Sequence, residues 1–376
     1  MVSVLRTLRL ALTIFVSLWT ASSTLAGGPD GSPSRRYDWR RDALETTRVA
    51  TADHLLSNSV ELAAYRSAGF NTLVVYDVNG YNDSGTSWSF KSEEQISAET
   101  AFARANGVPL ILGLAVESYV AAASKISVHG RFATATHSVV PNGSIPQATD
   151  SEIRERLQLW KKYGDGIVIG VFPWYDDVFW QKVDAARQRH VYYLIKATVA
   201  DWYVFGMIGD AGFNASDSDV TQYYDPAAFD HLIVLMYPLN IGAAATGFPL
   251  DNVASSDPDG DMIHYVDRYV ARMNERFFSG LRSGQLILLV VQAFYYLGEP
   301  EGHIPRPTDI AIMATHGTEQ LRKISGQQRN HSAAYYYWGA EGSGVVGLSQ
   351  RSDWLAAVHD VNDGLEREHA RRALQP

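Results

Sequence analysis

Apolar residues in this chain fall in short unbroken blocks, separated by amphipathic stretches and polar loops. The clear blocks are 72–76, 109–115, 167–172, 203–208, 232–237, 286–291 and 333–338. Most are rich in β-branched or aromatic residues, the pattern of parallel strands buried on both faces. A weaker block at 48–52 supplies a first strand. Helices are predicted between them, over 60–69, 97–107, 150–163, 177–190, 226–229, 263–281, 318–324 and 352–366. Gly69 and Gly107 end two of these, as C-terminal caps do. Strand–helix alternation repeated eight times predicts an α/β fold, a single (β/α)8 barrel over 44–366. A doubly wound open sheet is the runner-up, but no Gly-rich phosphate fingerprint follows the first strands. The longest connections follow the third and sixth strands, and long connections in a compact domain are usually functional.

The first residues break this pattern. Arg6 and Arg9 begin a basic start, 10–20 is nearly all apolar, and Thr24 and Ala26 suit cleavage after Ala26. The run falls short of the ~20 residues a stable membrane span needs. Residues 1–26 therefore read as an export signal, 27–43 as a flexible Gly/Pro/Ser-rich leader and 367–376 as a tail. The mature protein is expected outside the cytoplasm, secreted or periplasmic, with no membrane attachment after cleavage. Its 0 Cys exclude a disulfide framework, a zinc–thiolate site and a cysteine nucleophile. The formal charge of -9, with only short Lys/Arg runs, argues against a nucleic-acid surface.

In a barrel of this kind the active site lies at the carboxyl ends of the strands. The second strand ends in Tyr76, Asp77 and Asn79, the third in Glu117, and the fourth in Trp174, Asp176 and Asp177. The fifth delivers Asp210, the sixth Tyr237 and Asn240, the seventh Gln292, and the eighth Trp338 and Glu341. Two carboxyls flanking a bond, with aromatic platforms for sugar rings, are what a glycosidase needs. One must hold a proton for the leaving group while the other acts as nucleophile, base or charge stabiliser. Consecutive side chains point differently, so one of Asp176 and Asp177 is expected to face the site and the other to cap a helix. Asp177 is the preferred proton donor, ahead of Asp176; Asp210 and Asp77 lead for the second carboxylate, with Glu341 third. Tyr76, Asn79, Glu117, Trp174, Tyr237, Asn240, Gln292, Trp338 and Glu341 are the candidate substrate contacts. Each has a plainer reading: Asp77 and Asn79 suit a turn, Asp176 and Asp177 a helix start, and Tyr237 and Trp338 core aromatics.

The stretch Gly170-Val-Phe-Pro-Trp-Tyr-Asp-Asp177 resembles the fourth strand end of barrel glycoside hydrolases, where many carry their acid. Leu235-Met236-Tyr237 resembles the Met-x-Tyr element of chitinase-like barrels, with the Tyr directly after the Met. Trp338 is similarly placed to a Trp that often floors the central sugar subsite, and Gly69 to Tyr76 is similar to second strands of this superfamily. The resemblance implies a sugar substrate and an acid near Asp177. The chitinase-type Asp-x-x-Asp-x-Asp-x-Glu run is absent, as are an Asn-Glu pair at the fourth strand and a Glu closing the seventh. The resemblance therefore reaches the superfamily of TIM-barrel glycoside hydrolases and no single family. A non-catalytic carbohydrate-binding barrel is the rival.

Weaker signals remain. Asp257-Pro-Asp259-Gly-Asp261 is similar to a calcium loop, but its Gly comes early and Arg268 stands where a bidentate Glu belongs. The 11 His are scattered with no His-Glu-x-x-His, so neither a metal nor another cofactor is expected. Asn82, Asn142, Asn214 and Asn330 stand in Asn-x-Ser sequons.

Overall fold

A computed structural model describes residues 49–51, 56–77, 90–114, 116, 148–174, 177–179, 181–240, 250–325, 331–335, 338–339 and 345–373. Residues 1–26 and 27–43, expected from the sequence to be an export signal and a leader, lie outside the described residues.

The first half of the described chain runs β1 (Val49–Thr51), α1 (Ser59–Ser67), β2 (Thr72–Tyr76), α2 (Glu93–Asn106), β3 (Leu110–Gly113), α3 (Asp150–Gly164), β4 (Val168–Phe172) and α4 (Ala185–Thr198). It continues through β5 (Tyr203–Ile208), α5 (Asp210–Phe213), α6 (Asp217–Tyr223), β6 (His231–Met236), α7 (Pro258–Arg276) and β7 (Ile287–Val291). The last part holds β8 (Tyr295–Tyr296), α8 (Pro307–Ile324), β9 (Ser332–Tyr335), β10 (Val345–Val346) and α9 (Ser352–Ala373).

Strands β1 to β7 and β9 form a closed barrel in sequence order, every pair parallel. Closure comes at β9, where Ala334 is in register with both Val290 and Val49. A closed sheet excludes the open doubly wound alternative, and the predicted (β/α)8 barrel is the fold. The antiparallel pair β8–β10 stands apart from the barrel.

Burial explains the apolar blocks. In β4, β6 and β7 every residue is buried, because one face fills the lumen and the other meets the helices. At the closure, Asn362 of α9 donates from Nδ2 to the Ala68 carbonyl (2.9 Å), which ends α1, and its Oδ1 accepts from the Tyr335 hydroxyl of β9 (3.3 Å). Gly69 turns there at φ +85, and a Cβ on it would lie 2.7 Å from the Asn362 Cβ.

Helix boundaries differ from the pattern where capping decides them. Helix α2 starts at Glu93 because Ser92 and Gln95 form a capping box. Asp184, not Asp177, caps α4, so that helix begins eight residues later than its apolar pattern suggests. Asp257 caps α7 with Pro258 in its first turn. The predicted 226–229 helix is a turn whose Phe229 packs where Gly206 leaves room, while α5 and α6 supply the helical residues upstream. Helix α9 runs on to Ala373, so 367–373 belong to the outer layer rather than to a tail.

Candidate active site

Alternation along each strand decides which strand-end groups can reach the barrel mouth. On β2, Tyr76 turns into the lumen and meets Phe172 of β4 edge-on, ring centres 5.6 Å apart. Gly113 makes room for both, since a Cβ there would stand 2.6 Å from each ring. Asp77, one residue on, must face the opposite way, into the layer between sheet and helices. There it is fully buried and paired with Arg156 of α3. Arg156 Nε donates to Oδ2 (2.8 Å), its terminal nitrogen donates to Oδ1, and the Trp160 indole N–H also donates to Oδ1 (2.6 Å). Arg156 reaches on to the Lys91 carbonyl (2.9 Å) and lies over the Phe90 ring. Asp77 thus holds α3 to the end of β2, which corrects its expected role as a catalytic carboxylate.

Asp177 is also built into the frame. Its Oδ1 accepts the Phe179 N–H (2.9 Å), and its Oδ2 accepts those of Gly209 (2.8 Å) and Gly212 (3.1 Å). One carboxylate therefore ties the turn after β4 to the start of α5 after β5. Burial raises its pKa to about 6, while these backbone donors pull it down. Such a proton affinity suits a general acid. The placement does not, because the group is 3% exposed and backbone amides occupy both oxygens. Asp177 takes the structural role of the pair, which corrects the preference for it as proton donor.

The sixth and seventh strands build the best-defined part of the mouth. Tyr237 continues the lumen-facing series of β6, whose first member His231 meets the Tyr203 ring at 4.5 Å. Its ring is partly exposed and held edge-on by Phe294 at 5.1 Å. Gln292 lies beneath, fully buried: Oε1 accepts the Leu239 N–H (2.9 Å) and Nε2 donates to the Phe294 carbonyl (3.3 Å). With both amide atoms committed, Gln292 braces the loop that carries Tyr237 instead of meeting substrate, another correction. Asn240 is buried in the same loop, its N–H directed at the Tyr237 carbonyl (3.4 Å).

Asp210 opens α5 at the end of β5 and is partly exposed, with Oδ1 closed off from solvent. Its charge is felt by two buried phenols of α7, Tyr265 and Tyr269, whose pKa values are raised first by burial and next by Asp210. Neither phenol, nor Arg156 and Trp160, is marked by the strand-end pattern, because all four sit on helices distant in sequence.

Both candidate tryptophans lie in the core. Trp174 is 3% exposed. Trp338, 1% exposed, meets the rings of Tyr65 (5.0 Å) and Phe70 (5.8 Å) and donates to Glu61 Oε1 of α1 (3.0 Å). Neither offers a face to a sugar, which corrects both assignments. Asn79, Glu117, Asp176 and Glu341 lie outside the described residues.

No group of three or more His, Asp or Glu among the described residues could hold a metal ion. In the calcium-like stretch, Asp257 caps α7, Asp259 pairs with Arg306 (2.7 Å) and Asp261 accepts from Ser255 (2.5 Å). No helix among the described residues is long and apolar enough to cross a membrane.

The chain matches no family model and no curated protein. Solved structures similar to it include the catalytic domain of a mannanase from Streptomyces sp. SirexAA-E, 15% identical over 84% of this chain and 86% of that one, TM-score 0.45. A chitinase from Chromobacterium violaceum is 14% identical over 84% and 98%, TM-score 0.45. A glycoside hydrolase family 5 enzyme from Prevotella bryantii is 10% identical over 86% and 97%, TM-score 0.47. These neighbours are glycoside hydrolases. At such identity the likeness concerns fold alone, and the barrel rests on its own strand pairing.

Proposed function

We propose that the protein is a secreted glycoside hydrolase that cleaves glycosidic bonds of a poly- or oligosaccharide across the carboxyl face of its barrel. The observation that carries this reading is the mouth at β6 and β7. Tyr237 presents a partly exposed ring, set by Phe294 and by the buried Gln292 bracket, near the point where β5 hands over to Asp210. A sugar ring has an apolar C–H face, and a fixed aromatic ring is a good surface to receive it.

Paired carboxyls supply the chemistry, one giving its proton to the leaving oxygen as the other meets the charge that develops on the sugar. Asp177 is committed to backbone amides, so Asp176 takes the part of proton donor. Asp77 is neutralised by Arg156, so Asp210 takes the part of the second carboxylate. No metal enters this scheme. The reading of residues 1–26 as an export signal supports an activity outside the cytoplasm.

A second reading, a non-catalytic carbohydrate-binding barrel, is favoured by one observation: two of the candidate acids, Asp77 and Asp177, are tied into the frame. A glycan panel separates the two readings, scoring reducing ends and binding for wild type, Asp176→Asn and Asp210→Asn. Release by wild type that is lost in both variants supports the hydrolase. Binding without release supports the binding barrel. Absence of both overturns the carbohydrate assignment.

A further inference from the structure

The start of β7 draws on side chains where the sheet has not yet begun. In a parallel ladder each residue turns both main-chain groups to one neighbouring strand, and successive residues alternate. Leu286 turns to β6: its carbonyl accepts the Leu232 N–H (2.9 Å), and its own N–H donates to Nδ1 of His231 (3.1 Å). Ile287 turns to β9, and its N–H donates to Nδ1 of His331 (3.0 Å). His231 opens β6, and His331 directly precedes Ser332, which opens β9. Both rings and both amide-bearing residues are buried. A main-chain N–H can only donate, so the ring nitrogen that it meets carries no proton. Both imidazoles are therefore neutral, with their proton on Nε2. In His331 that nitrogen stands 3.1 Å from Oγ of Ser325, the residue after α8. A proton added at Nδ1 would set N–H against N–H, break the bond and strand a buried amide.

The elements around the pair carry charges of their own. Tyr203 of β5 meets the His231 ring at 4.5 Å. Asp230, the residue before His231, is held by Lys196 (3.1 Å) and Tyr192 (3.0 Å) of α4. From the turn before β7, Arg282 reaches the Phe229 carbonyl (2.7 Å). At the end of α8, Arg322 pairs with Glu368 of α9 (2.7 Å) and Lys323 with Glu319 (2.9 Å). Each of these carboxylates meets a cation, so of these groups the imidazoles are the ones that change charge between pH 7 and pH 5.

We propose that His231 and His331 form an acid-sensitive latch on the amino end of β7, closed while both rings are neutral and released when they take up protons. The open form binds a proton at the ordinary histidine value of about 6.5, whereas the closed form resists it. The closed form is therefore fully favoured above that value and loses ground as pH falls below it. At its other end the same strand leads to Gln292, the brace of the Tyr237 loop, so the latch secures the strand on which that part of the rim depends. The inference does not depend on what the rim binds.

The test follows hydrogen exchange of the Leu286 and Ile287 amides by NMR between pH 7 and pH 4.5, corrected for the intrinsic pH dependence of exchange. Wild type is compared with His231→Asn, His331→Asn and the double variant. Asparagine sets its Oδ1 where Nδ1 stood, keeps an acceptor there and takes no proton. Relative to the double variant, protection in wild type should fall about tenfold per pH unit below about 6 for each histidine that governs the amide. His231→Asn should flatten the response of Leu286, and His331→Asn that of Ile287. The same pH course in wild type and double variant overturns the latch. Imidazole nitrogen NMR on the wild type alone gives a second measurement that needs no variant to fold. Both rings neutral at pH 5.5, with the proton on Nε2, supports the proposal. A ring charged at pH 5.5 while its amide stays protected overturns it.

Discussion

Asp177→Asn tests the reading of the strand-four carboxyl as a structural clamp. In the folded chain this group is held at about 6 against an ordinary 3.8. At ~1.36 kcal/mol per tenfold change in proton affinity, its charged form costs the folded state about 3 kcal/mol relative to the unfolded chain. A carboxyl that binds its proton more tightly when folded adds stability as pH falls through 6 toward 4, and that stability is lost as pH rises through 6. Asparagine has no charge to desolvate, so this term disappears from the variant. It also has one acceptor oxygen in place of two: if that oxygen keeps Gly209 and Gly212, the new NH2 group faces the Phe179 N–H and strands a buried donor. That loss is worth ~1–3 kcal/mol at any pH. Urea unfolding at pH 4 and pH 7, followed by tryptophan fluorescence, should show the variant about 1–3 kcal/mol weaker than wild type at pH 4 and equal or stronger at pH 7. A stability difference that stays constant between the two pH values would refute the account, because it would mean that no proton is bound differently by the folded wild type.

Three further outcomes follow from the same geometry. Arg156→Met leaves the Asp77 charge buried without its partner and should cost ~3–5 kcal/mol in urea unfolding, most of it regained in the Asp77→Asn/Arg156→Met double variant; a cost below ~1 kcal/mol would show that the pair does not hold α3. Trp338→Ala should cost ~3–5 kcal/mol of stability, while Trp338→Phe keeps glycan affinity unchanged, and weaker binding by a stable Trp338→Phe would return the indole to the sugar site. Tyr237→Ala should weaken glycan binding severalfold, the scale of ~0.5–1.5 kcal/mol for an aromatic contact, with Tyr237→Phe near wild type; titration calorimetry on a binding glycan decides.

The barrel was legible in the sequence because strands buried on both faces write themselves as continuous apolar blocks, and seven such blocks coincide with strands of the closed sheet. Helix starts were less legible. They depend on which polar residue accepts the first free N–H groups, and Ser92, Asp184 and Asp257 look like any other loop residues until those amides are placed. At the mouth, reading strand ends gathered residues at one rim but could not separate neighbours. Tyr76 and Asp77 are consecutive, yet pleating sends one into the lumen and the other to Arg156, a helix partner 79 positions away. Asp177 stands at the fourth strand end, where the resemblance puts an acid. The backbone amides that claim it come from Gly209 and Gly212, beyond any local motif. Tyr237 stands at the end of the sixth apolar block, and its bracket, Gln292, carries an amide whose two ends meet main-chain atoms that no side-chain pattern records.

The Asn362 staple has a consequence for the order in which the molecule can be made. β1 finds one neighbour, β2, within a few dozen residues, but its other edge stays bare until β9 has been synthesised. At ~5–20 residues per second that wait is on the order of tens of seconds. Joining the two ends then requires Tyr335 and Asn362 to arrive together at the end of α1. The nascent chain thus has no complete barrel before its last helix appears, an interval in which a chain proposed for export remains threadable through a membrane pore.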